Sequence, residues 1–233
     1  MAAYESTAGS SRDREAVRDA VLSAAIAVVV EEGPSALTVR RLASDAHTST
    51  MSVYTHFGSV GGVVGAVVEY GFGLLGRTMA AAPRSGDPLA DLFGIALTYL
   101  AFARDHPRLY TTMFQHTSSD RGPGRRTDVV GTGAPIEAHG GGAAFATFLA
   151  ALSGTGPGRQ AGPEEHDAQR LALAAELFSA LHGNAMLRIA GHLDTADDTV
   201  AHSLLVALAV GNGMNRESAI RALERARAVN GRA

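Results

Sequence analysis

Apolar residues recur at helical spacing along most of the chain, and short polar or Gly/Pro breaks separate the apolar stretches. Val17, Val21, Ala24 and Val28 show the spacing of three or four residues that marks one face of an α-helix. No stretch of useful length alternates apolar and polar residues as a half-buried strand would. The pattern therefore predicts an all-α protein, with helices at about 14–32, 38–46, 49–57, 59–82, 87–104, 106–114, 143–153, 164–191 and 196–211 and a last one after Asn215.

The breaks between these helices divide the chain into two predicted domains. Residues 1–13 are small and polar, and they predict a disordered arm. Residues 14–60 predict a small helical domain, the helix at 59–82 leads out of it, and residues 83–233 predict a larger helical domain. Within the larger domain, residues 117–142 are rich in Gly, Pro, Ser and Arg and predict a long loop.

The composition narrows the function before any motif is considered. All 20 basic residues are arginine, and the formal net charge is -3, so charge alone does not indicate a nucleic-acid binder. Cysteine is absent, which excludes a disulfide framework and makes the cytoplasm the expected location. The longest apolar run, from Ala24 to Val30, is far too short to span a bilayer, and the N-terminus shows no signal peptide. We therefore expect no membrane association, and nothing in the sequence implies a cofactor.

The helices at 38–46 and 49–57 are joined by a few residues, which fits a helix-turn-helix. In such a unit the second helix enters the DNA major groove and donates hydrogen bonds to phosphates and base edges. Here that helix offers hydroxyls and an imidazole with little formal charge, while Val53 and Phe57 fall on its inner face. Thr38 caps the first helix, at an N-terminus that favours phosphate. The predicted DNA-binding residues are Thr38, Arg40, Arg41, Ser49, Thr50, Met51, Ser52, Tyr54 and His56.

The segment from Leu37 to Ser59, LTVRRLASDAHTSTMSVYTHFGS, resembles the DNA-binding region of TetR-type transcriptional regulators. The shared features are Leu-Thr-Val before the first of the two helices, Leu-Ala within it, a serine opening the second, and Tyr-x-His-Phe closing it. The sequence departs from the family pattern at three places. In the turn, His47 and Thr48 replace the usual glycine and aliphatic residue. After Ser59, Val60 replaces a common lysine, and Gly61 and Gly62 follow where a charged helix former is usual. The missing lysine removes one phosphate contact, so the resemblance implies a weaker salt dependence than in lysine-bearing relatives.

Two later segments resemble the ligand-binding domain of one subgroup of this family, the WHG type. They are HPRLYTTMF at 106–114 and LFSALHGNAMLRIAG at 177–191, where Phe178 stands at the position of the usual tryptophan. The resemblance implies an all-α homodimer that pairs through the helices at about 164–191 and 196–211. It also implies that this dimer binds a palindromic operator in double-stranded DNA. A small apolar or aromatic effector would bind the larger, dimerising domain and release the DNA.

Large apolar and aromatic side chains beyond residue 70 are candidates for the walls of an effector pocket. Most residues of these types simply form the core, so each assignment is a hypothesis. His182 lies on an apolar helix, where a hydrogen-bonded core histidine is the alternative to a pocket contact. The sequence contains no cysteine and no His-x-x-x-His pair, so these common signs of a metal site are missing. The predicted pocket residues are Phe72, Met79, Phe93, Leu97, Tyr110, Met113, Phe114, Phe148, Phe178, His182 and Met186.

Glycines are unusually frequent in the helix at 59–82. The sequence GSVGG at 58–62 lacks the Gly-Lys-Ser/Thr ending of a phosphate loop and follows no strand, which excludes a nucleotide site. Interior glycines each cost about 1 kcal/mol of helix stability relative to alanine. They indicate either close helix packing or a soft helix that couples the effector pocket to the DNA-binding unit. They are Gly61, Gly62, Gly65, Gly71, Gly73 and Gly76.

Two other functions stay open at this point. The larger domain could be a helical enzyme joined to a DNA-binding module, although no Ser-His-Asp order, paired carboxylates or metal-ligand spacing stands out. The chain could also be a DNA-binding dimer that needs no ligand. A one-component regulator accounts for both segments of resemblance, so the sequence predicts a ligand-responsive repressor and not an enzyme.

Overall fold

A computed structural model describes residues 3–115, 141–152, 163–193 and 198–231. These residues form ten α-helices and one short 3₁₀ helix, Pro34–Ala36, and they contain no strand, so the all-α prediction is confirmed. The helices are α1 (Ala3–Glu32), α2 (Val39–Asp45), α3 (Thr50–Phe57), α4 (Val60–Ala80), α5 (Pro88–Asp105), α6 (Pro107–Gln115), α7 (Gly141–Leu152), α8 (Pro163–Ile189), α9 (Thr199–Gly211) and α10 (Arg216–Asn230).

The described chain divides into two compact units. The first contains residues 3–71 and 108–115, and the second contains residues 72–107 and the described residues from 141 onward. The division falls inside α4, which corresponds to the predicted helix at 59–82 and contributes residues to both units. Nearly all of α6 belongs with the N-terminal helices, although the sequence assigned it to the larger domain.

The first unit is organised around the mutual packing of α1, α2 and α3. Val21 and Ala25 of α1, Leu42 of α2 and Val53 of α3 are all buried, as their helical spacing requires. Phe57 at the end of α3 lies under the guanidinium of Arg18, 5.6 Å from ring centroid to charge centre. These contacts fix α3 through its inner face, so its opposite face is presented outward.

The N-terminal helix is longer than the sequence predicted. α1 begins at Ala3, whereas composition predicted a disordered arm over residues 1–13 and a helix from about Arg14. Extending an existing helix adds one hydrogen bond for each residue fixed, while starting a new one is costly. The apolar face between Val17 and Val28 anchors the helix, and the preceding residues continue it without needing an apolar face of their own.

The glycines of α4 include one that is required by close packing within the first unit. A β-carbon added at Gly71 would lie 2.7 Å from Sδ of Met113 and 3.2 Å from a methyl carbon of Leu109, both on α6. α6 is also tied to the end of α1, because the Arg108 guanidinium donates to the carbonyl oxygens of Val30 (3.2 Å) and Glu31. These are carbonyls that a helix C-terminus leaves without partners.

The second unit is built around α5, which packs against α7, α8 and α10, while α9 packs against α8 and α10. Tyr99 and Ile95 of α5 are fully buried, and so is Phe148 of α7. The predicted caps are present: Asp87 accepts from the backbone N–H of Leu89 at 3.0 Å, and Asn215 caps α10. This unit therefore has its own core and its own capped helices.

Two further sequence expectations concern the chain's loops and its relation to membranes. Nearly all of the predicted loop at 117–142 lies outside the described residues, which resume with α7. Among the described residues, no single helix is long and apolar enough to cross a bilayer. α3 and α4 reach the required length and composition only as a pair, with a bend of 61° between them.

Candidate nucleic-acid interface and cavities

The turn between α2 and α3 closes on a left-handed residue. His47 has φ +51°, a conformation that costs a residue with a β-carbon roughly 1–2 kcal/mol and costs glycine nothing. The turn is closed by a hydrogen bond from the N–H of Thr48 to the carbonyl oxygen of Ala43 at 2.8 Å. This explains why TetR-type regulators commonly carry glycine here, and it shows that the helix-turn-helix forms in spite of the histidine.

Side-chain caps begin both helices of the predicted helix-turn-helix. The Thr38 hydroxyl accepts from the N–H of Arg41 at 3.2 Å, and the Ser49 hydroxyl accepts from the N–H of Ser52 at 3.1 Å. The Ser49 and Ser52 hydroxyl oxygens are also hydrogen-bonded to each other, 3.0 Å apart. Part of the hydrogen-bonding capacity that the sequence assigned to DNA is therefore used to hold α3 in place.

The outer face of α3 is exposed and almost uncharged. Met51 is 71% exposed and Tyr54 is 51% exposed, while Val53 on the opposite face is 1% exposed. Thr50 is also exposed, and His56 is half-buried. The face thus offers a thioether, a phenol, an imidazole and hydroxyls to a partner, which suits hydrogen bonding and apolar contact with base edges.

The two arginines of α2 differ in their surroundings. Arg41 donates to Glu32 at 2.5 Å and to Asp45 at 3.4 Å, and its hydrogen bond to Glu32 is the main reason its pKa is raised. The same hydrogen bond lowers the pKa of Glu32. Arg40 is exposed and makes no hydrogen bond or ion pair within the described parts of the chain. Arg41 therefore links α2 to α1, and its charge is balanced locally, whereas Arg40 keeps its charge available.

The junction between α3 and α4 requires one of the glycines that depart from the family pattern. Gly58 leaves α3 with φ +71°, and the Ser59 hydroxyl caps α4 by accepting from the N–H of Gly62 at 3.0 Å. A β-carbon on Gly62 would lie 1.9 Å from the carbonyl oxygen of Phe57, which is a backbone atom that cannot move aside. The close approach of the two helix ends therefore excludes any larger residue at this position.

Several predicted pocket residues meet in an aromatic cluster in the second unit. Phe178 lies 5.9 Å from Tyr99, 6.2 Å from Phe145 and 6.1 Å from His182, measured between ring centroids. Phe148 also contacts Tyr99, at 5.9 Å. Burial lowers the pKa of His182, which favours the neutral imidazole. The sequence analysis missed Tyr99 and Phe145, although the spacing of 145 and 148 on one helical face was a usable signal.

The predicted pocket residues are divided between the two units. Phe72, Met79, Phe93, Leu97, Met186 and the cluster members belong to the second unit, whereas Tyr110, Met113 and Phe114 belong to the first. Tyr110 and Phe114 contact each other there, with ring centroids 4.7 Å apart. Burial is high at most of these positions, as expected of core residues.

Two cavities lie within the second unit. The smaller, about 40 Å³, has apolar walls that include Phe93, Leu152 and Leu205. The larger, about 970 Å³, is bordered by Leu97 but otherwise by residues that the sequence analysis did not single out. Its walls carry charge: Arg104, Asp105, Arg188, Asp198 and Arg227 all border it.

Comparison with known proteins agrees with the helix-turn-helix geometry. Residues 21–67 match the bacterial regulatory proteins of the tetR family, and residues 92–210, about half of the chain, match the tetracyclin repressor-like C-terminal domain. The chain belongs to the TetR family. The first match contains the whole of α2, the turn and α3, so this TetR protein is a helix-turn-helix transcription regulator. Family membership also removes the helical-enzyme alternative.

Relatives of this TetR regulator share its length as well as its motif. An uncharacterized HTH-type transcriptional regulator of Mycobacterium tuberculosis is 26% identical over 207 residues, covering 86% of this chain and 84% of the relative. A protein of unknown function from Rhodococcus sp. RHA1 is 24% identical, with a TM-score of 0.64 over 85% of this chain and 96% of its own. A TetR-like transcriptional regulator from the same source is 16% identical, with a TM-score of 0.51 over 85% and 94%. At these identities the two solved structures support the fold alone.

Proposed function

We propose that this TetR protein is a cytoplasmic, ligand-responsive repressor that binds a palindromic operator as a homodimer. The outer face of α3 carries the DNA-binding part of the proposal. It is exposed, rich in hydrogen-bonding groups and fixed from behind by Val53 and by the Ser49 cap. Tyr54 and His56 have the longest reach on this helix, and we assign them to the phosphate backbone and flanking bases.

Dimerisation through α8 and α9 is supported by the apolar residues that these helices leave exposed. Leu187 of α8 is 47% exposed, and Val200 and Val210 of α9 are 46% and 37% exposed. Ser179 and Gly183 continue the exposed stripe of Leu187 along α8, and their small side chains allow a second helix to approach closely. Because α8 packs on α9, the same two helices of a second chain would complete a four-helix bundle and cover these residues.

A two-fold dimer determines the form of the operator. Two copies of α3 related by the dimer axis enter successive major grooves when their centres are about 34 Å apart, one helical turn of DNA. The operator is then a palindrome with half-sites at that spacing. An effector releases the DNA only if it binds the DNA-incompetent state more tightly than the DNA-competent state.

The effector in this proposal has an apolar or aromatic body and binds within the second unit. The cluster of Tyr99, Phe145, Phe148 and Phe178 supports this assignment, since aromatic walls are common in small-molecule sites. The pocket residues named from the sequence that lie in this unit remain the proposed contacts. Tyr110, Met113 and Phe114 of α6 stay pocket predictions made from the sequence.

The DNA-binding proposal is tested by fluorescence anisotropy of the purified protein on DNA flanking its own gene, over a salt series and with random DNA as control. Tight binding that discriminates between the two DNAs is expected. Equal and weak binding to the flanking DNA and to random DNA would contradict an operator in the DNA flanking its own gene. An effector requirement for binding would reverse the proposed sign of regulation.

The dimer is tested separately by sedimentation velocity. Leu187→Glu places a charge in the proposed bundle and should convert the protein to a monomer that no longer binds the operator tightly. Ile220→Glu is the matched control, because Ile220 is 39% exposed but lies on α10, outside the proposed interface. A Leu187→Glu protein that remains dimeric would exclude α8 from the interface.

A further inference from the structure

The larger cavity of the second unit has the size of a small-molecule site. Its volume is about 970 Å³, and ligand pockets commonly measure roughly 300–1,000 Å³. The C-terminal half of α5 forms much of its wall, from Leu97 to His106, and the start of α9 and the end of α10 border it as well. None of its charged residues belongs to the apolar pocket predicted from the sequence.

The charges around this cavity are not balanced. Arg104 is paired with Asp105 at 2.9 Å, and Arg188 is paired with Asp198. The fifth charged residue, Arg227, makes no ion pair within the part of the chain that the structure describes. Both described aspartates are paired with other arginines, so among the described residues that border the cavity the exposed Arg227 is left without an acidic partner.

One of the two ion pairs is partly buried, and burying charged groups costs free energy. The Arg188 side chain is only 11% exposed, and removing a charge from water carries a large penalty that its partners must offset. Asp198 is the N-cap residue of α9, yet its side chain makes no capping hydrogen bond and is paired with Arg188 instead. The pair therefore fixes charge at the cavity wall at the expense of an ordinary helix cap.

The rest of the wall is apolar. Leu97, Leu100, Ala101 and Phe102 of α5 border the cavity, and the Phe102 ring contacts the His106 ring at 4.9 Å between centroids. A ligand that fills this space would therefore meet a hydrocarbon surface on one side and Arg227 on another. A purely apolar molecule would not pair with Arg227, and a small inorganic ion would not cover the hydrocarbon surface.

We propose that this cavity binds an amphipathic organic carboxylate, with Arg227 receiving the carboxylate and the α5 wall contacting its apolar body. The proposal goes beyond the function proposed above, because the charged cavity is a second ligand site in the same unit, distinct from the effector contacts around the aromatic cluster.

The test uses isothermal titration of the full-length protein, without DNA, with benzoate and hexanoate and with their uncharged amides, benzamide and hexanamide. Both carboxylates are expected to bind in the millimolar range or better, and both amides are expected to bind at least about tenfold more weakly, since a charge-assisted hydrogen bond is lost. Arg227→Gln should weaken carboxylate binding by about tenfold, and Arg227→Lys should restore part of it.

Arg216→Gln is the matched control, because Arg216 is an exposed arginine of the same helix that does not border the cavity. It should leave carboxylate binding unchanged. The proposal is overturned if neither carboxylate binds, if the amides bind as tightly as the acids, or if Arg227→Gln binds like the parent protein. Operator binding of the ligand-free protein is measured on the same preparations: its absence would contradict the regulator function, whereas operator binding together with silent titrations would contradict only the carboxylate site.

Discussion

The outer face of α3 and the larger cavity of the second unit hold charge in opposite ways. α3, which is proposed to face DNA, a polyanion, presents Met51, Tyr54 and hydroxyl groups with hardly any formal charge. The cavity is bordered by three arginines and two aspartates. The two proposed binding surfaces therefore differ in their chemistry: the cavity presents charged side chains, and the outer face of α3 presents neutral donors.

This difference follows from what each surface has to recognise. Cationic side chains bind the phosphates of any DNA sequence, whereas directional donors and apolar groups distinguish base edges. In the cavity wall, the mostly buried Arg188 lies where a lower local dielectric strengthens its charged contact, whereas Arg104 and Asp105 are more than half exposed. If both proposals hold, a neutral α3 limits non-specific affinity for DNA, and a charged cavity limits the range of ligands.

The strongest test of the α3 face is the double substitution Tyr54→Ala and His56→Ala. It should lower operator affinity by at least about 100-fold, since it removes two long-reach contacts of roughly 1.5 kcal/mol or more each. Anisotropy measures the loss, and circular dichroism and sedimentation should show an unchanged folded dimer. Glu69→Gln, at an exposed residue of α4, is the control that should bind normally. Retained binding by the double variant would disqualify α3 as the DNA-reading helix.

The position of the α3 face depends on the junction behind it, and Gly62→Ala tests this dependence. The added β-carbon would lie 1.9 Å from the Phe57 carbonyl oxygen, so we expect about 1–3 kcal/mol less stability in urea unfolding and weaker operator binding. Gly65→Ala is the matched control in the same helix. No atom lies within 4 Å of a β-carbon added at Gly65, so Gly65→Ala should raise the free energy of unfolding by about 0.5–1 kcal/mol. Equal effects of the two substitutions would refute the junction argument.

Alanine substitutions in α4 also test the hypothesis that a soft helix couples the effector pocket to the DNA-binding unit. Gly73 has only the side chain of Arg77 nearby, at 3.3 Å from an added β-carbon, so packing does not demand a glycine there. If Gly65→Ala and Gly73→Ala together leave the effector response unchanged, the flexibility of α4 plays no part in coupling.

The charged side of the comparison is tested by the aspartates of the two ion pairs. Asp198→Asn removes the ion pair between Asp198 and the mostly buried Arg188 and should lower the free energy of unfolding by about 1–2 kcal/mol in urea unfolding. Asp105→Asn breaks the more exposed pair with Arg104, whose side chains are 54% and 55% exposed, and should change stability by about 0.5 kcal/mol or less. Similar losses of unfolding free energy in both variants would mean that the contribution of these ion pairs to stability does not depend on their burial.

The smallest effect is expected from Arg40 of α2, which is exposed and has no ion-pair partner among the described residues. Arg40→Gln should lower the slope of log affinity against log salt by about one unit, equally for operator and random DNA. Arg41→Gln should change the slope less, because Arg41 is already paired with Glu32 and Asp45. A larger slope change for Arg41 would show that DNA displaces its internal partners.

Local chemistry made much of the helical framework predictable. Thr38, Ser49, Ser59, Asp87 and Asn215 were each expected at a helix start, and each accepts backbone N–H hydrogen bonds there. A cap requires only residues two or three positions away, so the sequence contains the whole interaction. The helix-turn-helix, its inner-face anchor Val53 and the family resemblance follow from the same short-range pattern.

The features that sequence could not supply depend on residues that are distant in the chain. Arg41 meets Glu32 only because α1 and α2 pack together, and Arg108 reaches the end of α1 across more than seventy residues. The need for glycine at 62 and 71 arises from the approach of other atoms. The charged cavity has the same origin, since residues of α5, α8, α9 and α10 are ordinary polar positions in each helix and form a site only when packed. The sequence by itself thus determined the helices, their caps and the family, because those signals lie within a few residues; only the tertiary structure decided which charges remain unpaired and what space they border.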